Sequence, residues 1–415
     1  MMLGISLFSF SCTRFAVLPK TSSYSRSMAK NTVLVIVDGM GFNYIKSTRI
    51  YRGQKPLNFE RFTCSTKVST CAADGADSQG RCLDGSTHVT DSAAAATAIA
   101  TGIKVSNGVI SKKISHAHQD IETILELAKA QSKSTGIIAT KLFTDATPAA
   151  FVSHAGDREM TEEILSDMFG DAKPNLILGA DNDLHRSIAK TSSAKYQFVH
   201  TAVDLKNLAE KCLSSDCPYV YGGFGQHDMI PGIYAKKSGL PLEITPADYF
   251  NEHGVPHLSE MTDAALKILS NNPSGFFLMV ESSMPDMIGH YHSQIDENGQ
   301  SPSAIAALIK EMLELENTVK VLEAFIASHP NTLVVLTADH ETGGLMLDED
   351  KTPCLGHENC LPIVRWTAEK YEPVKASAAR HTGVDVPLYA IGEGAQRFCK
   401  DRINNTDIKG LVFAN

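Results

Sequence analysis

Six short runs rich in Val, Ile, Leu and Phe recur along the chain, at Thr32–Val37, Thr135–Thr140, Asn175–Leu178, Gly275–Val280, Thr332–Leu336 and Pro387–Ile391. Their apolar character is continuous rather than alternating, the pattern of strands buried on both faces, so they read as parallel strands covered above and below. The cover comes from amphipathic stretches between them, Asp120–Gln131, Asp157–Met168, His257–Ser270 and the long Ser303–Ala327, where apolar residues return at steps of three and four. The pattern predicts an α/β fold with a mostly parallel central sheet sandwiched between helices. In such a fold, chemistry gathers beyond the carboxyl ends of the strands.

Three of the runs stop there at residues that bind metals. Thr32–Val37 ends at Asp38, followed by the flexible Gly39-Met40-Gly41. Gly275–Val280 ends at Glu281, with Asp286 and His290 five and nine residues on, and Thr332–Leu336 leads to Asp339 and His340. One aspartate after a strand is ordinarily a turn former or a cap. Carboxylates and imidazoles converging from three strands on one edge would repel or stay unsatisfied, and divalent cations resolve that conflict.

Two further segments carry chemistry. In Thr90-Asp91-Ser92, followed by four alanines and a run closed by Gly102, Asp91 or Thr90 caps a helix and Ser92 stands at its start. There the backbone N–H groups and the positive dipole end favour an anionic phosphoryl group. In Asp145-Ala146-Thr147-Pro148-Ala149-Ala150, the residue before proline is expected extended, projecting the Thr147 hydroxyl as a hard oxygen ligand. Arg158, in the helical stretch that follows, offers a planar fork for phosphate.

Composition narrows the partners. With 47 acidic against 38 basic residues and a formal net charge of −9, the chain has no basic field for nucleic acid. No stretch reaches the roughly 18 consecutive apolar residues of a membrane span. The first 37 residues lack Asp and Glu, hold seven serines and carry Arg14, Lys20, Arg26 and Lys30, a targeting composition assigned to residues 1–30. A secretory or periplasmic signal, an organelle transit peptide and a start at Met28 remain open. Residues 31–415 contain no linker and read as one domain. Of nine cysteines, Cys71/Cys82, Cys212/Cys217 and Cys354/Cys360 are close enough in sequence for disulfides in an oxidising compartment.

In order and local spacing, Asp38-Gly39-Met40-Gly41, Val89-Thr90-Asp91-Ser92-Ala93-Ala94, Asp145 to Ala150 through Arg158, Glu281 with Asp286 and His290, Thr337-Ala338-Asp339-His340-Glu341-Thr342-Gly343-Gly344, and His381-Thr382-Gly383 resemble the alkaline phosphatase family. The resemblance runs from about Thr32 to Phe413. It implies an exported, homodimeric phosphomonoesterase with two Zn2+ ions, one Mg2+ ion and a phosphoserine intermediate on Ser92, with Arg158 gripping the phosphate. Carried over by position, the first zinc takes Asp286, His290 and His381. The second takes Asp38, Asp339 and His340 with Ser92 as fourth partner, and magnesium takes Asp38, Thr147 and Glu281.

Related phosphodiesterases or sulfatases would share the fold and zinc ligands, but Thr147 and Glu281 make a third, magnesium site that such relatives generally lack. A non-catalytic phosphate binder would not need Ser92. The 41 residues from His340 to His381 leave little room for the extra domain some family members insert there. Met287 occupies a position where some members have a lysine paired with an acidic residue at the place of Asp145, which predicts weaker retention of phosphate.

Overall fold

The computed structural model describes residues 29–83, 88–113, 119–214, 216–226, 254–291, 302–368 and 380–413. The targeting segment, apart from its last two residues, and His116, His118, His227, His253 and His292 lie outside them.

Ten strands form one sheet: β1 (Asn31–Val37), β2 (Cys64–Ser69), β3 (Ser134–Leu142), β4 (Leu176–Asp181), β5 (Gln197–Val199), β6 (Val220–Gln226), β7 (Phe276–Ser282), β8 (Thr332–Thr337), β9 (Val386–Gly392) and β10 (Arg402–Asn404). Their spatial order is β10-β2-β9-β8-β1-β7-β3-β4-β6-β5. Every residue of β1, β7 and β8 is buried, because these central strands have neighbours on both edges and helices on both faces. All six apolar runs become strands of this sheet.

One of them departs from the parallel expectation. β9, the run at Pro387–Ile391, lies antiparallel to both β8 and β2, while the remaining pairs are parallel. Among the described residues, the chain between β8 and β9 makes two small antiparallel pairings, Glu341–Thr342 with His381–Thr382 and Leu345–Leu347 with Val364–Trp366, and no crossover helix. An antiparallel return does not require one.

Three of the predicted helices form with trimmed ends, at Ile124–Ala130, Thr161–Asp167 and Leu258–Leu269, and the long one runs one residue further at each end, Pro302–Ser328. Thr123 explains the first trimming: its hydroxyl accepts from Glu126 N while the Glu126 carboxylate accepts from Thr123 N, so the helix starts there. The alanine-rich helix Ser92–Thr101 is buried throughout, and small side chains let it lie under neighbouring chain without clash. Asp91 caps it by accepting from Ala94 N, and Gly102 closes it at φ 76°.

The three anticipated cysteine pairs form disulfides. A fourth, Cys64–Cys399, ties β2 to the turn before β10 across a sequence separation of 335 residues. No helix among the described residues is long and apolar enough to cross a membrane.

Candidate active site

Strand register assembles the site. Thr337, Ile36, Glu281 and Ala139 lie side by side across β8, β1, β7 and β3. Two residues beyond that row stand Asp339, Asp38 and Lys141, on the shared carboxyl edge of these parallel strands. The helix Met284–Tyr291 follows β7 and carries Asp286 and His290 one turn apart, hence on one face. The hairpin partner of Thr342 is His381, which brings that imidazole to the same place.

Two groups of ligand type result, one of Asp286, His290 and His381 and one of Asp38, Asp339 and His340, each with its donor atoms within 4.8 Å of one another. In the first, Asp286 Oδ1 lies 3.3 Å from His290 Nε2 and 3.6 Å from His381 Nε2. In the second, His340 Nε2 lies 3.5 Å from Asp38 Oδ1 and 3.2 Å from Asp339 Oδ2. The His340 and His381 rings stack with centroids 3.6 Å apart, so the groups share a wall. Asp339 is oriented by its other oxygen, Oδ1, which accepts from Gly39 N and His340 N. Gly39 is required there: its φ is +74°, and a Cβ would come within 2.7 Å of Asp286 Cα.

Ser92 reaches the second group, with Oγ 3.0 Å from His340 Nε2. Asp91, besides capping that helix, accepts from Gly108 N, and Arg158 N in turn donates to Gly108 O. Arg158 therefore sits in a turn, not in the helix expected for it, since that backbone bond pins it ahead of the start at Thr161. Its Nη2 donates to Asp145 Oδ1 at 2.8 Å and its Nη1 lies 3.6 Å from Asp91 Oδ2. Thr147 is also not extended. It lies in the first turn of the helix Ala146–Val152, where Pro148 is tolerated because the N–H it lacks would have no helical partner. Thr147 is nevertheless buried, with an unpartnered hydroxyl.

Sequence reasoning missed Lys141. Its Nζ lies 2.5 Å from Asp145 Oδ2, so Asp145 is gripped by Lys141 and Arg158 together. The only sequence signal was its place in a buried strand four residues before Asp145, on the same face as Glu281.

The electrostatics are those of a cation site. Burial, then the charges of Asp339, Asp286 and Glu281, push Asp38 well above the usual carboxylate range. Burial and Asp286 push Asp339 up to about 7, and burial with Asp145 pushes Glu281 up to about 8. Burial lowers His340 to about 3, and burial with His340 lowers His381, so both imidazoles are neutral. Asp38 Oδ1, Asp339 Oδ2 and both Glu281 oxygens are buried without a hydrogen-bond partner. Buried carboxylate oxygens and bare imidazole nitrogens converging on common points form a donor set for divalent metal.

Comparison with known proteins agrees. A family model described as alkaline phosphatase matches residues 29–372. Alkaline phosphatase 3 of Bacillus subtilis (strain 168) is 28% identical, over 99% of this chain and 95% of that one. Streptomycin-6-phosphate phosphatase of Streptomyces griseus is 28% identical over 93% and 90%. Among solved structures, alkaline phosphatase from the Antarctic bacterium TAB5 superposes with a TM-score of 0.68 at 26% identity, covering 93% of this chain and 97% of that one. The cold-active enzyme of Shewanella sp. does so with 0.68 at 26%, covering 92% and 99%. Since the match takes in Ser92, Arg158 and the three strand ends that bear Asp38, Glu281 and Asp339, this chain is a phosphatase and belongs to the alkaline phosphatase family, whose chemistry is phosphomonoester hydrolysis.

Proposed function

We propose that the chain hydrolyses phosphate monoesters to an alcohol and inorganic phosphate at alkaline pH, through a phosphoserine on Ser92. The observation that carries this reading is Ser92 itself: a hydroxyl at the start of a buried helix, 3.0 Å from His340 Nε2. Asp91 links that helix start to Arg158.

The donor set fits metal, and the ligand types divide it. Asp286, His290 and His381 would hold one zinc, and Asp38, Asp339 and His340 a second, beside Ser92. The all-oxygen set of Asp38, Thr147 and Glu281 would hold magnesium. Structures of TAB5 alkaline phosphatase variants with Mg bound in the M3 site support a magnesium site in this family. Bound cations would supply Lewis acidity, neutralising the carboxylates and stabilising charge on attacking and leaving oxygens.

Ser92 Oγ gives its proton to water and forms the new bond to phosphorus as the bond to the alcohol oxygen breaks, and that oxygen takes a proton from water to leave as the alcohol. Arg158 holds two non-bridging oxygens with its planar fork, a geometry kept by its bond to Asp145. N–H groups of the first turn of Ser92–Thr101 face the same anion. Water then attacks phosphorus, the Ser92–phosphate bond breaks, and inorganic phosphate leaves.

The same reading makes residues 31–415 a single catalytic domain of an exported homodimer. Eight of the nine cysteines lie in four disulfides, which suits an oxidising compartment.

Ser92→Ala should lower turnover of a phosphomonoester by several orders of magnitude while fold and metal content stay intact. Quenching the wild type in acid should leave labelled phosphate on Ser92, and metal analysis should give two zinc and one magnesium per chain. An active enzyme whose Ser92 takes up no label would overturn the mechanism.

A further inference from the structure

Thr342 lies inside the segment Thr337–Gly344 but is neither nucleophile nor ligand, and it is fully buried between the two ligand groups. Its Oγ1 is 2.6 Å from Asp286 Oδ1 and 3.1 Å from His340 Nδ1, one partner in each group. Its backbone N donates to Gly39 O at 3.1 Å, and its carbonyl accepts from the Tyr44 hydroxyl at 2.6 Å. Two glycines make room for it. A Cβ on Gly39 would meet Thr342 Oγ1 at 2.9 Å, and one on Gly289 would meet Thr342 Cγ2 at 2.9 Å.

We propose that Thr342 is a positioning residue that locks both ligand groups into one unit, orienting Asp286 and fixing the ring and tautomer of His340. This rests on the reading that the two groups hold cations. A threonine hydroxyl has one proton, and an ionised carboxylate can only accept, so the proton goes to Asp286 Oδ1. The oxygen facing His340 Nδ1 then meets a donor, which makes His340 the Nδ1–H tautomer and leaves Nε2 bare toward Ser92, Asp38 and Asp339. The Ser92 hydroxyl accordingly donates to that nitrogen. His381 reaches the same state independently, because its Nδ1 donates to the Thr90 carbonyl at 2.9 Å. Both imidazoles thus present a bare Nε2, one set by backbone and the other by Thr342. Partners behind a ligand commonly alter metal affinity by about 10- to 100-fold.

The test compares Thr342→Val, which keeps the shape and removes the hydroxyl, with Thr342→Ser, which keeps the hydroxyl. Two readouts stand apart from turnover: the rate at which zinc passes from the loaded protein to a chromogenic chelator, and the 15N shifts of the His340 ring in the metal-free protein. Thr342→Val should release zinc about tenfold faster or more and shift His340 toward mixed tautomers, while Thr342→Ser stays close to wild type in both. Wild-type zinc release and an unchanged His340 in Thr342→Val would overturn the proposal, as would a serine variant impaired as badly as the valine one. A wild-type chain that takes up no zinc would instead overturn the metal reading beneath it; the His340 shifts would then still report on the threonine.

Discussion

His290 and His381 face each other nitrogen to nitrogen, Nε2 to Nε2 at 2.9 Å, with Asp286 Oδ1 within 3.6 Å of both. His381 donates its ring proton to Thr90, so its facing nitrogen carries a lone pair. Two imidazoles and a carboxylate aimed at one point are stabilised by a cation and strained without it. Chelation should therefore abolish activity and lower the thermal midpoint, with zinc restoring part of the activity and magnesium the rest. Calorimetry and assay before and after chelation check this, and full activity in the metal-free protein would reject it.

The carboxylates give that loss a pH dependence. In metal-free protein Asp38, Asp339 and Glu281 are raised by burial and by neighbouring carboxylates, Asp286 and Asp145 among them, Asp339 to about 7 and Glu281 to about 8. Above the ordinary carboxylate range of about 4, the unfolded chain has released protons that the folded one still holds. The folded state then binds more protons, so stability falls as pH rises from about 4 through about 8. The thermal midpoints of chelated and metal-loaded protein should diverge steadily across that window. Parallel curves would mean that the three carboxylates are not coupled in this way.

The fourth disulfide makes a separate prediction. Cys64–Cys399 closes a loop of several hundred residues. In the chain-entropy view that is worth up to about 5 kcal/mol. Cys64→Ser should lower the denaturant midpoint, and a reductant should lower that of the wild type further, since it opens all four bridges. An unchanged midpoint in the serine variant would show that β2 and the turn before β10 are held by packing alone.

The sheet and the candidate ligand residues at its edge were legible for the same reason. β1, β7 and β8 are continuous apolar runs because both faces are buried, and candidate ligands stand at their carboxyl ends, Glu281 within β7 and Asp38 and Asp339 just beyond β1 and β8. β6 was not legible, because Gly222, Gly223 and Gly225 interrupt its apolar run. A Cβ on Gly223 would collide with the carboxylate of Asp181, whose buried side chain accepts from Tyr221 and Arg186. Cys64–Cys399 escaped because its partners are far apart in sequence. Arg158 was placed in a helix because the backbone bond to Gly108 that stops it is tertiary. Lys141 and Thr342 were not singled out as site residues, since their contacts depend on strand register and on the pairing of Thr342 with His381.

The last prediction joins Lys141 to Met287. A lysine at position 287 was expected to be missing as a partner for Asp145, and Lys141 fills that partnership from β3 instead, with Nζ 2.5 Å from Asp145 Oδ2. Although burial opposes its charge, Lys141 and Arg158 hold Asp145 well below the usual carboxylate range, so the trio keeps a net positive charge. Met287 is buried and directly follows Asp286 in the helix Met284–Tyr291. One cation near a phosphate is worth about 1 to 4 kcal/mol at effective dielectrics of about 80 to 20. Lys141→Met should therefore weaken inhibition by inorganic phosphate. Met287→Lys alone should tighten that inhibition and slow maximal turnover at alkaline pH, because product leaves more slowly. In the double variant, the lysine at 287 should return the inhibition constant toward wild type. Phosphate inhibition constants for all four proteins decide the matter: a constant indifferent to Lys141 would remove it from phosphate retention, and one indifferent to Met287→Lys in both backgrounds would show that position 287 does not feel the bound phosphate.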